Sequence, residues 1–129
     1  MNSNQSIFST LSILLFFFCL ATNASAGEVL KCEKRNTPAR SKISVNAEDL
    51  VPGAIYTARV SSGANSKSAS QAADPAGVFE IDFDSNRKDI LAGATPIGSK
   101  FIVGATVKTV VTDAMGGVVE NTSAACRTR

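Results

Sequence analysis

The chain contains no histidine. That absence removes the commonest site chemistry at once: no Ser–His or Cys–His nucleophile pair, no imidazole general base and no His-ligated zinc can be assembled. Carboxylates are the remaining acid–base candidates, and Glu80, Asp82 and Asp84 stand at alternate positions between Phe79, Ile81 and Phe83. In a strand this spacing sends the three acids to one face and the three apolar residues to the other. Like charges on a solvated face repel one another and have no apolar pocket to separate their pKa values, so the row reads as exposed surface and not as a catalytic pair. Asp82-x-Asp84-x-Asn86 also opens like a calcium loop. Arg87 stands where such a loop requires glycine and Gly93 where it requires a bidentate glutamate, so an EF-hand is excluded. The expectation is a protein that is not an enzyme, with no catalytic residue, no metal ligands and no cofactor.

What the cysteines do depends on the compartment. Residues 1–26 carry no Lys, Arg, Asp or Glu, and residues 11–21 are apolar apart from Ser12. A run of that length is too short to span a bilayer, which takes about 20 residues, and Ala24-Ser25-Ala26 follows it as a small-x-small cleavage site. The reading is a signal peptide over 1–26, cut between Ala26 and Gly27, and an exported protein, extracellular or periplasmic, over 27–129. Phe18 precedes Cys19 where a lipidation signal requires a small residue, which argues against a lipid anchor. Once Cys19 is removed, Cys32 and Cys126 remain, and an even pair in an oxidising compartment predicts a structural disulfide between the two ends of the domain.

Thirteen basic and eleven acidic residues all lie after residue 26, so the net charge of +2 dictates no partner by itself. The cations do gather at the ends: Lys31, Lys34, Arg35, Arg40 and Lys42, then Arg127 and Arg129. A disulfide joining those ends would bring Lys31, Lys34, Arg35, Arg127 and Arg129 into a candidate basic patch. No aromatic residue is interleaved with them to stack on bases, which argues against nucleic acid. Residues 61–76 are small and polar, with Asn65, Ser66, Lys67 and Ser68 at their centre, and read either as a candidate binding loop or as a disordered surface excursion with one short edge strand inside it. Asn121-Thr122-Ser123 is an N-glycosylation sequon for a eukaryotic host.

These features have to be positioned by strands. Period-2 alternation predicts strands over 28–35, 41–47, 55–60, 77–84, 100–112 and 118–126, with no helix-length amphipathic segment and with residues 85–99 crossing between sheets, pinned by Ile90, Leu91 and Ile97. Phe79, Phe83, Phe101 and Tyr56 supply the large core side chains. In the 100–112 strand Phe101, Val103, Ala105, Val107 and Val111 share the inner side, and Asp113 with Gly116 suits a type I turn with a glycine bulge into the last strand. Pro52-Gly53 makes a corner before Tyr56, whose hydroxyl is expected to return to a corner carbonyl. The spacing Leu50-x-Pro52-Gly53-x-x-Tyr56-x-x-x-Val60 resembles the tyrosine corner of fibronectin type III and other immunoglobulin-like sandwiches. The resemblance implies an all-β fold: an antiparallel immunoglobulin-like sandwich of six or seven strands, one domain over 27–129.

The function expected from this is a small exported binding or interaction module whose partner is an extracellular or periplasmic protein or polysaccharide. The alternative is a structural or adhesive subunit of a surface layer or filament, suggested by the Ala, Ser, Thr, Val and Gly content of the strands. No membrane-spanning segment is expected after removal of the leader.

Overall fold

The computed structural model describes residues 28–129. The expected leader, its expected cleavage site and Cys19 lie outside the described residues. Seven strands of six residues or more are present: β1 (Glu28–Asn36), β2 (Ala39–Ala47), β3 (Ile55–Ser62), β4 (Asn65–Ala72), β5 (Phe79–Asp84), β7 (Thr106–Asp113) and β8 (Val118–Ala125). Two-residue strands β6 (Thr95–Pro96) and β9 (Arg127–Thr128) and one short helix, α1 (Arg87–Leu91), complete the set. One sheet has the order β6-β5-β2-β1-β9 and the other β4-β3-β7-β8. The long strands pair antiparallel; only β6 on β5 and β9 on β1 are parallel.

Alternation explains the layers. Ile43, Val45 and Ala47 of β2 sit opposite Phe83, Ile81 and Phe79 of β5, and Ala58 of β3 sits opposite Val111 of β7. All of these, with Tyr56, Val60 and Val107, are buried in one core between the sheets. Truncating a buried phenylalanine to alanine in such a core costs about 3–5 kcal/mol. Cys32 on β1 and Cys126 just after β8 are bonded, with Cα atoms 4.6 Å apart, so the disulfide ties one sheet to the other.

The corner forms as expected and its hydrogen bond runs the other way. Gly53 takes φ +78° and the Ala54 amide donates to Val51 O at 3.1 Å, which closes the turn. The Tyr56 hydroxyl accepts from the Val51 amide at 3.0 Å and does not reach a carbonyl. Its ring meets Phe79 edge-on, centroids 6.2 Å apart. The β7–β8 turn also matches: Asp113 N donates to Gly117 O at 2.9 Å, and its Oδ1 accepts from the amides of Met115 and Gly117.

Four expectations are corrected. Residues 61–76 are not a binding loop: the edge strand allowed for there takes up eight of them as β4, paired along its length with β3 from Ile55↔Ala72 to Ser62↔Asn65. An edge strand held by backbone pairing needs no apolar face, so its polar composition hid it. The strand predicted over 100–112 begins only at Thr106. Two buried hydroxyls hold the preceding path off the ladder: Ser41 Oγ donates to Ser99 O (3.0 Å) and accepts from Ile102 N (3.1 Å), while Ser62 Oγ accepts from Val103 N (2.8 Å). Val103 and Ala105 are accordingly exposed and not inward. In residues 85–99 a single helical turn replaces irregular chain, started by Asn86, whose side chain accepts from the Lys88 amide as an N-cap. Leu91 is exposed there and pins nothing, while Ile97 packs against the core. Finally, Asp84 does not share the solvated face of Glu80 and Asp82; it is buried, for a reason given next.

Candidate functional site

Arg40 on β2 explains Asp84. Its guanidinium spans both Asp84 oxygens (Nε to Oδ1 3.1 Å, Nη2 to Oδ2 2.8 Å) and reaches Asp89 Oδ2 at 2.8 Å. The same Nη2 thus ties the β2 and β5 ends to α1, and Asp84 Oδ1 also accepts from the Asn86 amide at 2.9 Å. Burial is the largest single influence on the Asp84 carboxyl and pushes its pKa up. The Arg40 hydrogen bonds, the Asn86 amide and the charges of Arg40 and Lys42 together outweigh it, so Asp84 titrates below the ordinary carboxylate range. Arg40 is held above its ordinary value, first by the hydrogen bond to Asp84. A carboxylate locked in its ionised form by two donors has no proton to give or take near neutrality, so this group of charges is a clamp and not an acid–base site. Reading the sequence for alternation alone misses it; the signal that was present is Asp84 at the last position of its strand, where a turn and a cap follow.

The last strand does run beside the first: Arg127 stands opposite Glu33 and the Arg129 amide donates to Lys34 O at 2.9 Å. Lys31 and Arg127 line a shallow hollow of 440 Å³ with Glu33 and Lys42 among its other residues. Lys34 and Arg35 are among the residues lining another of 350 Å³ at the β1–β2 hairpin end. Acids are mixed in with these cations, since Arg129 pairs with Glu33 at 3.5 Å and Arg40 with Asp84 and Asp89. Of the candidate loop residues, all now on β4, Asn65 donates from Nδ2 to Phe101 O at 2.9 Å and Ser66 Oγ accepts from Arg59 at 3.4 Å. Lys67 stands opposite the core residue Val60 yet is exposed, because β4 is the edge of its sheet. Ser68 is exposed opposite Arg59.

A cleft of 480 Å³ lies between the sheets' adjoining edges, walled by β4 (Ala69, Ser70, Gln71) and β5 (Glu80, Ile81, Asp82) and closed at one end by the residues after α1. β6 pairs only with Phe83 and Asp84, so β5 from Phe79 to Asp82 has no strand partner on that side among the described residues, and β4 is the end strand of its own sheet. Two open backbone edges therefore flank one cleft. Elsewhere, Glu120 is buried opposite Val111 and its Oε1 has no hydrogen-bond partner among the described residues, as is true of Asn46 Oδ1. No group of three or more acidic or cysteine side chains placed to hold a metal occurs among the described residues, and no described helix is long and apolar enough to cross a membrane.

No protein-family profile matches the chain, and no curated protein matches it. Among solved structures, macromomycin is similar at 14% sequence identity and a TM-score of 0.41, over 80% of this chain and 100% of that one. A likeness that faint assigns neither fold nor function.

Proposed function

We propose that this chain is an exported, non-catalytic binding module of the immunoglobulin-like sandwich type that takes an extended polypeptide segment into the cleft between β4 and β5. The observation that carries the reading is the pair of unpaired strand edges on a single cleft. An extended peptide laid along either edge would satisfy the open N–H and C=O row, which supplies affinity, while the small side chains of β4 leave room for its alternate side chains. The strand orders support the sandwich class, since β1, β2 and β5 share one sheet and β4, β3, β7 and β8 the other, as in a two-sheet immunoglobulin arrangement. Export is supported by the leader-like residues 1–26 and by the Cys32–Cys126 bond, which an oxidising compartment maintains.

Fluorescent β-forming peptides titrated against the protein test the reading. Saturable binding is expected, lost when alternate peptide residues are made proline and lost in Ala92→Trp, which fills the cleft from an exposed position. Binding that survives both changes, or a size-exclusion profile that grows steadily with concentration, would reject it in favour of another surface or of the filament.

A further inference from the structure

The β5 wall of the cleft carries charge that nothing in the fold answers. Glu80 and Asp82 stand two positions apart on one strand, so their side chains leave the same face about 7 Å apart. Both are exposed, both line the cleft, and neither belongs to an ion pair among the described residues. Asp84 and Asp89, the other acids of the lining, are held by Arg40. The cation of the lining is Lys42, which stands opposite Asp84 on β2. A segment laid along the open side of β5 would lie two strand spacings from β2, about 10 Å, so Lys42 answers Asp84 and not the edge. The facing wall on β4 (Ala69, Ser70, Gln71) has no charge. In a chain of net charge +2, this edge is locally negative.

The same two residues carry the open backbone groups. Asp84 O accepts from the Ile97 amide at 3.0 Å, on the side where β6 lies. Backbone groups alternate in direction along a strand, so those of Asp82 and Glu80 turn to this same edge, while those of Ile81 and Phe83 turn to β2. Because β6 pairs only with Phe83 and Asp84, Glu80 and Asp82 are the positions left for an added strand. An antiparallel segment there sets one residue opposite Glu80 and another, two positions along, opposite Asp82. Their side chains share the carboxylate face, where opposite charges directly across from each other attract and like charges repel.

The geometry points to the kind of segment this cleft takes, given that it takes a peptide: an extended chain with Lys or Arg at two alternate positions, one paired with Glu80 and the other with Asp82. That selectivity rests on the peptide reading of the cleft. Backbone pairing supplies the part of the affinity that is blind to sequence, and the two carboxylates supply the choice. Residues between the two cations point to the opposite face and meet no charge from β4. The solvated position of Glu80 and Asp82 is what leaves them free to pair with an incoming chain.

The probes are short fluorescent peptides of one Thr-rich β-forming host, with Lys, Gln or Glu at the same two alternate positions, titrated against the protein at low ionic strength. The Lys form should bind about fivefold to tenfold tighter than the Gln form, the Glu form should bind weakest, and the spread should shrink in high salt. Placing the two Lys at adjacent positions keeps the charge but sends one to the opposite face, and should lose part of the gain. Glu80→Gln with Asp82→Asn should bring the Lys peptide down to the affinity of the Gln peptide, which itself stays unchanged. Glu80→Lys with Asp82→Lys should invert the order. Glu48→Gln removes an exposed acid that does not line the cleft and should leave the order intact. Urea midpoints establish that each variant remains folded. Equal affinity for all three peptides would overturn the charge selectivity and leave the peptide cleft standing. An order that survives the neutralised pair, or that Glu48→Gln weakens as much, would trace the preference to the general field of the protein and overturn the pairing. Binding of none of the peptides would remove the peptide cleft and this selectivity together.

Discussion

The residue with the most decisive environment is Asp84. Alternation puts it with Glu80 and Asp82, yet it is 1% exposed because Arg40 closes over it while Asn86 donates from beneath. Its folded pKa is lowered, so its contribution to stability is present above the unfolded value, about 3.9, and is lost as pH falls through the folded value. Replacing Arg40 by leucine removes its hydrogen bonds and charge and leaves the Asn86 amide and Lys42 against burial, so Asp84 should titrate higher than in the native protein. Arg40→Leu should be destabilised by about 3 kcal/mol at neutral pH, an uncompensated buried carboxylate being the cause, and the deficit should narrow as the medium is acidified and Asp84 is neutralised. Urea melts of both proteins from neutral pH to about pH 3 measure this. A deficit constant with pH would mean that Arg40 acts by packing alone. Tyr56 is the opposite case in legibility. Its burial followed from alternation, while the direction of its hydrogen bond required the Val51 amide to be seen pointing at the ring oxygen.

At the scale of elements, the corner before β3 and the turn before β5 form one unit. Leu50 N donates to Gly77 O at 3.0 Å, and a Cβ on Gly77 would stand 2.5 Å from Leu50 O. Gly77 has φ +76°, so alanine there meets both the left-handed backbone penalty and a backbone atom that cannot move without breaking the pairing. Gly53→Ala, at φ +78° with nothing within 4 Å, meets the penalty alone and should cost about 1–2 kcal/mol. Gly77→Ala should cost clearly more, and urea midpoints of the two variants compare them directly. Equal losses would show that the two turns are not locked together. β4 shows a different relation of sequence to element. Its residues have almost no apolar content, and only the ladder to β3 makes them a strand, so composition read them as a loop.

The whole molecule is two sheets joined by a core and by one covalent bond. The bond closes a separation of 94 positions, and in the chain-entropy picture a loop of that length stabilises by about 4–5 kcal/mol. Reduction, or Cys32→Ser with Cys126→Ser, should therefore lower the urea midpoint strongly, and an unchanged midpoint would show that the bond adds nothing to the stability of the fold. How much of this was legible follows from the range of each force. Burial of Phe79, Ile81, Phe83, Tyr56, Val107 and Val111 was readable because alternation is local: each side chain's face is set by its immediate neighbours. The cysteine pairing was readable because an expected leader over residues 1–26 takes Cys19 and leaves two thiols. The Arg40–Asp84–Asp89 clamp and the hydroxyl tethers of Ser41 and Ser62 were not. These contacts join residues roughly forty to sixty positions apart, through side-chain geometry that no local periodicity encodes. They exist only where the packing of β1, β2 and β5 against β3 and β7 brings distant backbone within hydrogen-bond reach.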